Sequence, residues 1–71
     1  MIFPDLSRNE ITYLIEQYVF SARDRKMLKL RLLDGFTYEK LSEIFDLSVR
    51  QVRNIIRKNK EIVFDHIDRL P

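Results

Sequence analysis

The residues best suited to bind another molecule lie between Ser48 and Lys60. This segment contains five basic residues and no acidic residue, whereas the whole chain has a net charge of only +2. At about 100° per residue, its apolar side chains fall on one side of a helix and its basic and amide side chains fall within about 160° on the other. The polar face consists of Arg50, Gln51, Arg53, Asn54, Arg57 and Lys58.

This polar face predicts a surface that binds double-stranded DNA. Lysine and arginine pair with phosphates, and arginine, asparagine and glutamine also form hydrogen bonds with base edges in the major groove. A basic face that only meets solvent is the commoner explanation of a charge run taken alone. We prefer DNA here, because the residues before this helix have the spacing of a helix-turn-helix.

Other chemistry finds little support in the sequence. His66 is the only histidine, and Asp65 and Asp68 do not share one helix face with it, so we expect no metal site and no acid–base pair. The chain has no cysteine, and it has no glycine-rich loop that could hold a phosphate group. We therefore expect no enzymatic activity and no cofactor.

Size and composition indicate one small domain over residues 1–71. Hydrophobic residues make up 45% of the chain, which is enough for a compact core. No apolar run approaches the roughly 18 residues of a membrane span, and the N-terminus lacks the basic-then-apolar order of a signal peptide. We therefore expect a cytoplasmic protein with no membrane contact.

Capping signals and hydrophobic periodicity predict an all-α fold. We expect four helices, at about residues 8–20, 22–34, 38–45 and 49–69. Glu10 and Gln51 each follow a serine by three residues, which is the spacing of a capping box. Gln51 is thus equally suited to cap the last helix and to contact a base. The four predicted capping residues are Ser7, Ser21, Thr37 and Ser48.

The pattern inside these helices predicts how they pack. The second helix has apolar residues almost all round, so we expect it to be central. In the last helix, Asn59 interrupts the apolar stripe, and we favour one helix that continues to about Arg69 over a break at this position. Gly35 lies just after the second helix, where a residue in the left-handed conformation commonly ends a helix. In the third helix, the side chains expected to face the core are Tyr38, Leu41, Ile44 and Phe45.

The short helix, tight turn and second helix over about residues 37–58 form the helix-turn-helix. From Asp24 to Ile55 the chain resembles the C-terminal, promoter-contacting domain of bacterial sigma factors, and also small sigma-like regulators of phages and mobile elements. The resemblance covers roughly residues 20–60. Its most specific parts are Leu30-Arg31 before Gly35, Thr37 at the helix start, and Leu47-Ser48 followed by Val52-Arg53.

The resemblance implies that the first half of the last helix contacts bases and phosphates through Arg50, Gln51, Arg53 and Asn54. Arg57 and Lys58 are assigned to phosphate by charge and helix face alone. Two positions depart from the family pattern: Ser42 replaces a residue that is usually alanine, and Asp46 replaces the usual turn glycine. A left-handed Asp46 would cost roughly 1 kcal/mol. The sequence shows no segment like the other sigma-factor domains, so we expect a protein that is not a complete sigma factor.

Several functions and partners stay open at this point. The chain is expected to regulate transcription through double-stranded DNA, but it could instead dock on RNA polymerase without contacting DNA, or assist phage DNA packaging. A homodimer through the first and last helices would cover Tyr13 and Phe64, as would a chain terminus folded over them. The sequence does not give the operator, or whether the outcome is activation or repression.

Overall fold

The computed structural model describes residues 6–70, so Met1 to Asp5 and Pro71 of the predicted domain lie outside the described residues. It contains four α-helices and one turn of 3-10 helix, with no strand among these residues. Across residues 6–70, no helix is both long enough and apolar enough to cross a membrane. The elements are α1 (Arg8–Tyr18), α2 (Ala22–Leu32), α3 (Tyr38–Phe45), α4 (Val49–Asp65) and the 3-10 turn (Ile67–Arg69).

The all-α fold with four helices is thus confirmed, with differences at the helix ends. The first two helices each end two residues before the predicted end, and α3 has its predicted bounds. The last helix continues past Asn59 as we favoured, but it ends at Asp65 and a 3-10 turn follows it.

All four predicted caps are present at the helix starts. The Ser7 hydroxyl accepts a hydrogen bond from the Glu10 N–H at 3.1 Å, and the Glu10 carboxylate accepts one from the Ser7 N–H at 2.9 Å. Ser48 and Gln51 form the same capping box on α4. Such a cap contributes about 1 kcal/mol to stability. The caps with a single backbone bond are Ser21 and Thr37.

Two residues beyond helix ends have the left-handed backbone conformation. Gly35 follows α2 with φ of 72°, and Asp46 follows α3 with φ of 55°. The Leu47 N–H then donates to the Ser42 carbonyl at 3.1 Å and closes the end of α3. Aspartate tolerates this conformation better than most residues, so the departure from glycine at Asp46 leaves the turn intact.

We expect Gly35→Ala to lower the free energy of unfolding by about 1 kcal/mol, because alanine is strained at positive φ. No atom lies within 4 Å of the added Cβ, so strain of the backbone is the whole cost. Asp46→Gly is the matched change at the other left-handed position and should not destabilise the protein. Urea denaturation measures both, and a Gly35→Ala variant as stable as wild type would contradict the expectation.

The four helices share one hydrophobic core. As predicted, α2 packs against each of the other three, but α4 does so too, and the two helices share the central place. The buried apolar residues are Ile11, Leu14, Ile15, Val19, Met27, Leu28, Leu41, Val52, Ile56 and Val63.

The predicted inward face of α3 is partly wrong. Ile44 is 42% exposed, and Leu41 is the buried residue of this helix. The helix has only eight residues and packs mainly against α2 and α4, so the edge of its apolar stripe is left uncovered. Tyr38 and Phe45 are half-buried.

Asn59 is a polar residue within the core, only 5% exposed. Its side-chain N–H groups donate to the Asp24 carboxylate at 3.1 Å and to the Ile55 carbonyl at 2.9 Å. A buried amide that is hydrogen-bonded in this way avoids the cost of lost hydration. This explains why α4 continues through Asn59, and it ties α4 to the first turn of α2.

Candidate nucleic-acid interface

The candidate site is built on the unit formed by α3, a three-residue turn and α4. The turn covers residues 46–48, between Phe45 and Val49, and the two helices pack against each other. The buried residues of α4 recur every three or four positions, so one side of the helix faces the core and the opposite side faces outward. They are Val52, Ile56, Asn59 and Val63.

The side chains predicted to bind DNA all lie on the outward side of α4, and each is exposed. None of them pairs with a carboxylate from residues 6–70. The fold therefore leaves the positive charge of the four basic residues among them available to an anionic partner. The six residues are Arg50, Gln51, Arg53, Asn54, Arg57 and Lys58.

Two amide side chains on this face already have internal partners. The Gln51 carbonyl oxygen accepts the Ser48 N–H at 2.9 Å, so Gln51 has the capping role that we predicted as one of its two roles. The Asn54 carbonyl oxygen accepts a hydrogen bond from the Arg57 guanidinium at 3.1 Å. Each amide keeps its NH₂ group free to donate. Adenine binds an amide through a donor and an acceptor together, so in this conformation the oxygen of each amide would serve its internal partner and the base at once.

Sequence reasoning missed an aromatic contact beside the site. Two guanidinium groups lie over the Tyr38 ring. The Cζ atom of Arg31 is 4.4 Å from the ring centroid, and the Cζ atom of Arg53 is 5.5 Å from it. Both distances are within the range of a cation–π interaction. Tyr38 was expected to be a core residue, but it is half-buried and its ring lies beside Arg53 on the outward side of α4. An aromatic residue directly after the Thr37 cap was the available signal.

Most basic residues of α2, in contrast, have partners within the fold. The Arg25 guanidinium donates to the Val19 carbonyl at 2.9 Å and to the Phe20 carbonyl at 3.0 Å, at the end of α1. Lys29 hydrogen-bonds to the Glu16 carboxylate, and this bond with its charge attraction lowers the pKa of Glu16. The ion pairs within residues 6–70 are Arg8–Asp34, Arg23–Asp24 and Lys29–Glu16, all outside α4.

His66 is the capping residue at the C-terminal end of α4. Its Nδ1 lies 2.8 Å from the Ile62 carbonyl oxygen, and its ring stacks on Tyr18 with the centroids 3.9 Å apart. Over the part of the chain that is described, no group of three or more His, Cys, Asp or Glu residues could hold a metal ion.

A comparison with protein-family models identifies the family of this chain. The family model for Sigma-70, region 4 matches residues 19–58, which is more than half of the chain and includes α2, α3 and the first part of α4. Comparisons with curated proteins and with solved structures gave no match. The matched residues contain the whole helix-turn-helix and all six predicted DNA-binding side chains. The chain therefore belongs to the Sigma-70, region 4 family.

Proposed function

We propose that the chain is a sequence-specific double-stranded DNA-binding protein that regulates transcription in the cytoplasm, for a phage or mobile element. The first half of α4 enters the major groove and α3 lies across the DNA backbone, as in other helix-turn-helix units. Arg50, Arg53 and Asn54 contact bases. Arg57 and Lys58 contact phosphates, which set affinity more than sequence preference.

One observation carries this proposal: the outward face of α4 concentrates guanidinium and ammonium groups that no carboxylate of the described chain neutralises. This small protein has many acidic residues. A basic face without a binding function would be expected to form ion pairs with some of them. Two basic residues of α2 do this: Arg23 pairs with Asp24, and Lys29 pairs with Glu16. The contrast between the two helices favours an external anion for α4.

We expect binding of duplex DNA to weaken strongly with salt. With about four phosphate contacts, log affinity should fall against log salt concentration with a slope of about −3 to −4. Fluorescence anisotropy with a labelled duplex, from about 50 to 300 mM salt, measures this slope. Selection of bound sequences from random duplexes then tests for sequence preference.

Matched variants locate the contacts that produce the slope. Lys58→Ala should make the slope shallower by about one, since one phosphate contact is lost. Lys26→Ala removes an exposed lysine of α2 and should leave the slope unchanged. A flat salt response of the wild-type protein would contradict DNA binding.

A second candidate function is docking on RNA polymerase without DNA contact, which the family resemblance also allows. It is favoured by large apolar side chains outside α4: Phe20 is 85% exposed and Ile44 is 42% exposed. Side chains of this size, left exposed by the fold, are available to contact another protein. Salt-resistant capture of polymerase by a protein that shifts no duplex would support this function over DNA binding.

The predicted homodimer gains no support from the family match. Phe64, one of the two aromatic residues behind it, is half-buried within the described fold, whereas Tyr13 is 36% exposed. The dimer stays a prediction, and sedimentation that shows only monomer at tens of micromolar would exclude it.

A further inference from the structure

Tyr38 lies where three helices meet at the edge of the candidate interface. It is the first residue of α3, Arg31 reaches it from α2, and Arg53 reaches it from α4. The Thr37 cap fixes the start of α3, so the backbone that carries the ring is well ordered by local hydrogen bonds. The ring therefore links the recognition half of α4 to the rest of the fold.

The two arginines differ in how they are held. Arg31 is half-buried, and its guanidinium also donates a hydrogen bond to the Phe36 carbonyl at 2.9 Å. Arg53 is exposed, and across residues 6–70 the Tyr38 ring is the partner of its guanidinium. Arg31 thus belongs to the scaffold, while Arg53 is free to bind an external group.

We infer that Tyr38 is a positioning residue, which holds the Arg53 guanidinium ready for a guanine in the major groove. This inference rests on the proposed DNA binding. An arginine side chain loses conformational freedom when a base fixes it, and a side chain that is held beforehand loses less. The ring contact uses no hydrogen-bond donor of the guanidinium, so every N–H group of Arg53 stays available.

Guanine is the base that suits this arrangement. It presents two acceptors, O6 and N7, toward the major groove, and an arginine fork donates to both. Arg31 adds a second positive charge at the same ring, and no carboxylate of the described chain pairs with either arginine. The local charge therefore favours an edge made of acceptors over the amino groups of cytosine or adenine.

The test combines two changes of the ring with removal of Arg53. Tyr38→Leu removes the aromatic face, and Tyr38→Phe keeps the face but removes the hydroxyl. Each is made in wild type and in Arg53→Ala, and binding is measured on the selected duplex and on a duplex with the contacted guanine replaced. Tyr38→Met replaces Tyr38→Leu if the latter does not fold.

We expect Tyr38→Leu to weaken binding to the selected duplex about two- to fivefold, with little change on the replaced duplex. Tyr38→Phe should match wild type. In the Arg53→Ala background, Tyr38→Leu should have no further effect on sequence preference, because the residue that it positions is absent. The NMR signal of the Arg53 Nε–H should lose its ring-current shift in Tyr38→Leu and keep it in Tyr38→Phe.

Four other outcomes would overturn the inference. Uniform weakening by Tyr38→Phe would show that the hydroxyl itself contacts phosphate. A lower melting temperature of Tyr38→Leu with unchanged sequence preference would show that the ring only packs. A wild-type protein that binds no duplex would remove the proposed function as well. Specific binding by wild type with full preference in Tyr38→Leu would reject the positioning role alone.

Discussion

Arg53→Ala should abolish most of the sequence preference of DNA binding. A good bidentate pair of arginine with guanine contributes about 1–3 kcal/mol of discrimination, so the preference for the selected duplex should fall roughly tenfold to a hundredfold. Arg53 lies on the exposed side of α4, with its guanidinium over the Tyr38 ring and free of carboxylates within the described residues. Competition between the selected duplex and single-base variants measures the preference.

Lys58→Ala is the control for this experiment. Its ammonium group is assigned to phosphate, so its loss should weaken binding to all duplexes alike. The ratio of the affinities for the selected and the variant duplexes should stay unchanged. If Arg53→Ala kept this ratio of affinities, or if Lys58→Ala changed it, it would be wrong to assign base contacts to Arg53 and phosphate contacts to Lys58.

Net charge alone does not distinguish the two basic blocks of this chain. Residues 21–35 and 47–60 both carry excess positive charge, and charge counts give no reason to assign them different tasks. The structure separates them because the acidic partners of the first block come from α1 and from the helix ends. Lys29 pairs with Glu16, thirteen residues away. Contacts over this separation depend on the packing of α1 against α2, which composition does not show.

Helix starts were predictable and helix ends were less so, for a physical reason. Each cap joins residues three apart, so the sequence contains the whole motif. The ends depend on tertiary contacts: Arg25 of α2 donates to the Val19 and Phe20 carbonyls after α1, and Arg8 of α1 donates to the Leu33 carbonyl after α2 at 2.8 Å. These bonds satisfy helix-end carbonyls and explain why both helices end before the predicted residues.

The end of α4 depends on another contact between helices. Its apolar positions continue beyond Asp65, so periodicity alone predicts further helix. The His66 ring stacks on Tyr18 of α1, and the His66 backbone has left the helical conformation, with φ of −112° and ψ of 13°. A contact with α1 thus accompanies the change to a 3-10 turn.

The outward face of α4 followed from the helical period, but the fine arrangement on it did not. Periodicity assigns Arg53 to the outside, yet its ring partner is fifteen residues earlier and across a turn. The left-handed Asp46 sets that turn, and with it the distance between the start of α3 and the middle of α4. The sequence therefore predicted which side chains of α4 face outward, and the packing of α3 determines how one of them is held.

The packing of α3 leads to the second large expected effect. Leu41→Ala should lower the free energy of unfolding by about 2–5 kcal/mol, because the side chain is fully buried and its loss leaves a cavity. A chain of 71 residues has a total stability of roughly 4–11 kcal/mol. The variant should therefore be partly unfolded or close to it at 37 °C, and urea denaturation at lower temperature measures the loss.

Ile44→Ala, on the same helix, is the matched control. Periodicity predicts that Ile44 faces inward like Leu41, whereas the structure leaves it 42% exposed. We expect a loss of less than about 1 kcal/mol, since alanine also favours the helix. Unchanged urea m-values in both variants would show that the two losses are comparable measures of stability. Similar losses from Leu41→Ala and Ile44→Ala would mean that α3 packs as periodicity predicted, and the exposed position of Ile44 would be wrong.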